Sequence, residues 1–481
     1  MRRDALALLL LVLLAIALRA HDFGNPVIHV DEQYYLLVGD RMLHGARPYI
    51  DFWDRKPLGL FLLFEGMRLL PGDGILAYQW TATLFAAATA GLIALSARRL
   101  GARPLGAGAA ASAYLLWLGF LSGRGGQSPV FYNLFMAAAG WAMLRLPDLA
   151  GRGDRRAIVR QGMAVCLLAG LAIQTKYTPA VEGAFFGLAH LRYLHRAGAR
   201  LPLLGAAALG WALLGLVPTL AAIAWYHALG AEAFAQFWFS NFASVALRRG
   251  YPAAKIAGRL AGTAAQLSPF LVCAALGWRT RPAGRNGEHA LAFGWLAAAL
   301  VGYAMIGAFF DHYALPLLVP LAIIAAPALG RSRTARTGSA LAAAILFAFH
   351  WGSEPDDRRS AQAVAAVMAD HAGQGCAYVF AGDSILYHLS GSCVPTAYAF
   401  PSTLAYAAEQ GATGIDEAAE VRRIMGTRPP VVVTMDQPLA PWNRESLTVM
   451  APLLARDYRL ALIEPREDSH ELVYVRRDLA R

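Results

Sequence analysis

Long apolar runs recur along most of this 481-residue chain. A helix needs about 20 apolar residues to cross a hydrocarbon core of roughly 30 Å. Lipid admits such a helix because it satisfies its own backbone hydrogen bonds. That feature alone excludes most soluble architectures. Composition agrees, with 57% of residues hydrophobic and 16% charged, where soluble domains carry about 25% charged. The net charge of +11 does not point to nucleic acid, because the basic residues fall between apolar runs rather than on one patch. Nearly all of them are arginine, Lys56, Lys176 and Lys255 being the only lysines.

The runs predict about eleven spans, at roughly 5–20, 75–97, 104–121, 129–146, 157–175, 178–194, 201–228, 259–278, 289–310, 313–330 and 337–352. The first, Ala5 to Ala20 after a basic start, has the length of a signal peptide. An uncleaved span is the preferred reading, since no small-x-small cleavage site leads into polar sequence and more spans follow. Arginines cluster on one side, as Arg2-Arg3, Arg98-Arg99-Arg103, Arg145 with Arg152 to Arg160, Arg192-Arg196-Arg200, Arg279-Arg281-Arg285 and Arg331-Arg333-Arg336. Positive charge stays in the cytoplasm. The N-terminus is therefore expected inside, and the segments 21–74, 229–258 and 355–481 outside. Leu36, Leu37, Met42 and Leu43 alternate with polar residues in helical rhythm, predicting an amphipathic helix on the membrane. Phe234, Phe237, Trp238, Phe239 and Phe242 suit the interface.

The C-terminal part is different in kind. "CAYVF", "PPVVVTM" and "LVYVRR" read as strands. "DSILYHLSG" and "IDEAAEVRRIMG" read as helices with acidic starts and glycine ends. The expectation is a polytopic all-α membrane domain over 1–354 and a small external α/β domain over 355–481. Cys376 begins one strand and Cys393 what would be its neighbour; in an oxidising compartment they could bridge, although spacing does not fix their Cα separation. Cys166 and Cys273 lie alone in apolar runs, and no CxxC or Cys/His metal spacing occurs.

The first external loop, "VIHVDEQYYLLVGDRMLHGARPYIDFWDRKP", holds charge of both signs. In a soluble protein Asp31 would simply cap a helix, with Glu32 favouring the same positive end. Arg55 and Lys56 would snorkel to lipid head groups. A chemical reading competes with this. A carboxylate can act as general base on an acceptor hydroxyl, and Arg or Lys can hold a phosphate leaving group as it gathers charge. Asp31 with Arg55 and Lys56 would then serve transfer of a sugar from a lipid phosphate.

The same stretch resembles the first periplasmic loop of the GT-C membrane glycosyltransferases, in particular the protein O-mannosyltransferases and lipid A aminoarabinose transferases. The resemblance rests on Asp31-Glu32, Tyr34 or Tyr35, Gly45 with Pro48-Tyr49 and Asp51, and Lys56-Pro57 opening a helix. "GRGGQSPVFYNLF", "LAIQTKYTP" and "DHYALPLLVPLAIIAAPAL" resemble later segments more loosely, so the likeness covers about 1–350 and hardly touches the C-terminal part. It implies a GT-C fold with amphipathic periplasmic helices in the bacterial inner membrane. It also implies inverting transfer of a monosaccharide from a polyprenyl-phosphate donor to a lipid, glycan or protein acceptor. Asp31 would be the catalytic base, and Lys56 would meet the donor phosphate. Glu32, Tyr35, Arg55, Arg124, Lys176, His312 and Tyr313 would bind substrate. Some relatives carry Glu where this chain has Arg55, which favours a second phosphate cation there over an acidic contact, and Leu58 replaces a second proline.

Arg124, Lys176 and Tyr313 also read as interfacial anchors. Glu182, an acid inside a span, is either functional or paired with Lys176. No DxD pair or His cluster suggests a metal or other cofactor, and the membrane lipids are the only further partners implied. The competing functional class is a transporter or flippase of lipid-linked sugars, which would want more intramembrane charge and paired broken helices. A scaffold presenting the C-terminal domain is a third. The sequence does not name the sugar or the acceptor.

Overall fold

A computed structural model of the chain describes residues 2–248, 250–279, 282, 284–353, 357–466 and 469–479. Arg281 and the expected domain boundary at 354/355 lie outside these residues. Each of the eleven expected apolar segments is helical. Six helices among the described residues are long and apolar enough to cross a membrane, at Ala5–Asp22, Ile75–Arg99, Arg155–Ile173, Leu201–Ala228, Ala253–Arg279 and Asp311–Arg331, with a shorter apolar helix at Pro104–Phe120. Ser128–Met143, Pro179–Arg196, Asn286–Met305 and Arg333–Ser353 complete the set as shorter or less apolar helices. The chain is a multi-pass membrane protein.

Residues divide into two compact units. The first comprises Met1–Phe23, Gln79–Ala222 and Pro252–Gly352. Its centre is the Leu318–Arg331 helix, buried along almost its whole length, as a helix apolar on every face must be. Pro104 opens the Pro104–Phe120 helix at a position where its missing N–H costs nothing. Gly106 lets this helix approach Leu318–Arg331 backbone to backbone, since a Cβ there would collide with the Ala326 carbonyl and with Gly330. In lipid, where no hydrophobic force joins helices, such small-residue contacts supply the packing.

The second unit gathers Gly24–Tyr78, Ile223–Tyr251 and Ser353–Arg481. Its sheet holds β1 (Tyr378–Val379), β2 (Val431–Met435), β3 (Tyr458–Arg466) and β4 (Ser469–Arg476) in the order β1-β2-β4-β3. β1 and β2 are parallel; β4 runs antiparallel to β2 and β3. The all-buried "VVVTM" of β2 packs with Tyr378, Val421, Ile424 and Met450 in the core. Asp416 caps Glu417–Gly426 by accepting from Ala419 N at 2.8 Å, the acidic start foreseen in the sequence.

Several expectations are corrected. Cys393 begins no strand; it lies in an irregular segment. It nevertheless bridges to Cys376, with Cα atoms 4.8 Å apart. The Val30–Met42 helix does not float half-exposed, because Asp31 to Asp40 are all buried within the unit. It packs on Leu58–Arg68 so closely that a Cβ on Gly39 would stand 2.7 Å from Glu65 N. Phe237 is likewise internal, stacked on Tyr226 with ring centroids 4.6 Å apart, whereas Trp238 is exposed.

Candidate active site

Two elements of the second unit bring the first-loop residues together. The Val30–Met42 helix puts Asp31 and Tyr35 four residues apart, hence on one face. Its N-cap is His29 rather than Asp31, the Asp31 N–H donating to His29 Nδ1 at 3.3 Å. Pro57 then caps the Leu58–Arg68 helix, and the residue before it, Lys56, turns back to the first helix. Lys56 Nζ lies 3.6 Å from Asp31 Oδ1 and 5.1 Å from the centre of the Tyr35 ring. Burial by itself would lower the Lys56 ammonium, but Asp31, Tyr35 and Asp54 outweigh it and hold it well above the usual lysine range. The Tyr35 phenol is pushed well up by burial and then by the Asp31 charge. Lys56 is therefore a cation at any physiological pH, beside a carboxylate and a neutral phenol. Glu32 lies fully buried in the same first turn.

Arg55 and Lys56 are neighbours in sequence but engage different partners. Arg55 Nη1 meets Glu409 Oε2 at 2.6 Å, Nε donates to Ser244 Oγ at 3.0 Å, and Nη2 donates to the Ala412 carbonyl at 3.1 Å. Arg248 holds the other oxygen of Glu409 at 2.8 Å. Burial holds the Arg55 guanidinium below its usual range despite the opposing pull of Glu409. The cation imagined as a second phosphate ligand thus sits in a protein ion pair. Sequence reasoning did not reach Asp54, Ser244, Arg248 or Glu409. Asp54 carried a usable signal, an acid two residues before the lysine in a turn closed by proline; Glu409 carried none.

The other candidates lie in the first unit. Arg124 Nη2 is 3.3 Å from Asp22 Oδ1, on a turn pinned where Arg19 donates to the Gly123 and Gly125 carbonyls. Lys176 Nζ sits 4.0 Å over the Tyr313 ring, and His312 meets the same ring edge-on at 4.6 Å. Lys176, Tyr303 and Tyr313 line a small cavity with Glu182. Glu182 accepts from Trp295 Nε1 at 2.6 Å, so the partner the structure gives it lies on a second helix. Among the described residues no group of three His, Cys, Asp or Glu side chains could hold a metal ion.

No family model matches the chain, and no curated protein matches it by sequence. Solved structures do match it in fold. ArnT from Cupriavidus metallidurans, solved bound to undecaprenyl phosphate, aligns with a TM-score of 0.58 at 15% identity, covering 98% of this chain and 98% of that one. The oligosaccharyltransferase of Archaeoglobus fulgidus, solved tethered to an acceptor peptide containing the NVT sequon, aligns with a TM-score of 0.53 at 11% identity, covering 96% of this chain and 72% of that one. The chain has the GT-C fold that its first-loop motif implies.

Proposed function

We propose that the chain is an integral membrane glycosyltransferase that moves one sugar from a polyprenyl-phosphate donor to a hydroxyl acceptor. The observation that carries this reading is the 3.6 Å approach of Asp31 Oδ1 to Lys56 Nζ. An acid and a permanent cation share one place, as base catalysis and leaving-group stabilisation both require. The fold likeness to ArnT, whose structure holds undecaprenyl phosphate, supports the donor class. Asp31 takes the acceptor's proton, the acceptor oxygen bonds to the anomeric carbon, and the bond from that carbon to the phosphate oxygen breaks. The anomeric centre inverts, and polyprenyl phosphate departs with the added charge facing Lys56. A donor phosphate at Lys56 Nζ also replaces Asp31 as its counter-charge and releases the carboxylate to act as base. Within the first unit, Arg124, Lys176, His312 and Tyr313 are assigned to substrate binding on the resemblance, residue by residue.

The same reading places the second unit's site on the periplasmic face of a bacterial inner membrane, with the N-terminus cytoplasmic. Arginine clustering supports that orientation. So does the Cys376–Cys393 bridge, which belongs in an oxidising compartment. The test is to incubate the purified protein with a panel of polyprenyl-phosphate sugars and candidate acceptors and to follow release of polyprenyl phosphate. Asp31→Asn should lose about 10²–10⁴-fold in transfer, the usual worth of a general base, with an unchanged melting curve. Full transfer by that variant would remove Asp31 from the mechanism.

A further inference from the structure

The turn from Trp53 to Lys56 is built bond by bond. Trp53 N–H donates to the Ala397 carbonyl at 2.8 Å, and the Trp53 carbonyl accepts from Tyr34 Oη at 3.0 Å. At the far end the Lys56 carbonyl accepts from Tyr49 Oη at 2.7 Å. Tyr49 itself is held at φ +68, a conformation uncommon for a bulky residue. The two N–H groups inside the turn, of Arg55 and Lys56, both donate to Asp54 Oδ1, the second at 3.0 Å. This local side-chain bond shapes the turn. It also divides the two cations, Lys56 going to Asp31 and Tyr35 and Arg55 going to Glu409.

An asparagine would close the same turn without burying a charge. Asp54 is only 8% exposed. Burial pushes its carboxyl up, Lys56 draws it down, and Asp31 pushes it up again. A carboxyl kept in such a place, where an amide would close the turn, has work beyond it. Its place names that work, since Asp54 Oδ1 lies 3.0 Å from the backbone N of Lys56, the cation that Asp31 meets.

We propose that Asp54 is a positioning residue for Lys56, its side chain fixing the turn that aims the ammonium at Asp31 and its charge serving as the second counter-charge of that ammonium. This rests on the reading of Asp31 as base and Lys56 as phosphate ligand. Once a donor phosphate has displaced Asp31 and Asp31 has taken the acceptor's proton, Asp54 is the carboxyl that remains against Lys56.

Two substitutions separate the two tasks. Asp54→Asn keeps an oxygen that can accept from both N–H groups and removes the charge. Asp54→Ala removes both. Asp54→Ala should raise the donor KM and lower kcat/KM by about 10²-fold, the scale of a misplaced catalytic group. Asp54→Asn should recover most of that loss, and the alkaline limb of its kcat/KM profile should move to lower pH. Wild-type kinetics in Asp54→Ala, or equal losses in the two variants, would overturn the proposal. A second measurement does not depend on turnover. Because the chain has only three lysines, acylation of Lys56 by an amine-reactive reagent can be followed against pH by peptide mass. Its midpoint should fall in folded Asp54→Asn, and an unmoved midpoint would overturn the charge role even if the alanine variant fails to fold. If wild type releases no polyprenyl phosphate from any donor, the enzymatic reading fails, while the labelling still decides the part played by Asp54.

Discussion

Two acid–cation clusters in the second unit are built from similar parts and behave differently. One is Asp31, Asp54 and Lys56; the other is Asp357, Asp383, Glu471 and Arg466. Lys56 meets Asp31 at 3.6 Å, with side chains 23% and 13% exposed. Arg466 meets Asp357 Oδ2 through Nη1 at 2.6 Å and Asp383 Oδ2 through Nε at 2.6 Å, while Nη2 reaches Asp383 Oδ1 at 3.1 Å. The Arg466 side chain is 8% exposed and that of Asp383 is 3% exposed. The planar guanidinium fork occupies both oxygens of Asp383, whereas an ammonium is a point charge that trades one anion for another. The first cluster is therefore able to exchange ligands. The second is a strut. Its Asp383 also accepts from Gln33 Nε2 at 2.7 Å, and Gln33 lies on the helix that carries Asp31, two residues further on.

That contrast can be broken most sharply at Arg466. Arg466→Met leaves Asp357 and Asp383 buried without their shared cation, a change that costs about 3–5 kcal/mol. Thermal unfolding of the purified protein in detergent should show a large fall in midpoint. The fraction that stays folded should keep much of its transfer rate, because no catalytic group has been removed. Wild-type stability in this variant would show the cluster to be no strut.

Lys56→Met is the complementary substitution. It removes the cation proposed to face the leaving phosphate and should lower kcat/KM by about 10²–10³-fold, the size seen when one charge-stabilising group is lost. The melting curve should fall less than in Arg466→Met, since the Asp31 side chain keeps some contact with water. A variant that unfolds without losing specific activity would reverse the assignment of the two clusters.

How far each cluster is legible in sequence follows from chain distance. Asp31 and Lys56 fall in one loop, where a base and a cation can be read together. The helices of the membrane part are legible because hydropathy is summed over many residues, and Leu318–Arg331 needs no partner to be recognised as buried. β3 was not legible: "YRLALIEPR" leaves Leu460, Ala461 and Ile463 exposed, shows no clean apolar/polar alternation and contains a proline, which argues against a strand until one sees that it is the edge. Arg466, Asp383 and Gln33 are scattered over more than 400 residues. No local pattern announces that a terminal strand, a loop and the first-loop helix converge. Burial of the Val30–Met42 helix was hidden for the same reason. Its partners include the Leu58–Arg68 helix and, through Asp383, the far end of the chain.

The smallest effect comes from Glu471, and it tests whether the strut is electrostatic or merely packed. Glu471 Oε1 accepts from Asp383 N at 3.2 Å. Burial, then the nearby Asp383 charge, pushes its carboxyl up to about 8, with Arg466 pulling it down and Asp357 adding to the rise. In the unfolded chain the same group titrates in the ordinary glutamate range, near 4.3. Between those values the folded state holds one proton more than the unfolded state, so stability falls as pH rises. The contribution is complete below the unfolded value and is lost by the time pH has passed about 8. Glu471→Gln cannot ionise and should lack this fall. It should gain on wild type by on the order of 1–2 kcal/mol between pH 6 and pH 8, read as a melting difference that widens with pH. The two proteins should melt nearly together only at and below about pH 4.3, where the wild-type carboxyl is protonated in both the folded and the unfolded chain. A difference that stays constant between pH 6 and pH 8 would mean the ion cluster does not sense Glu471, and that Arg466 is held there by shape.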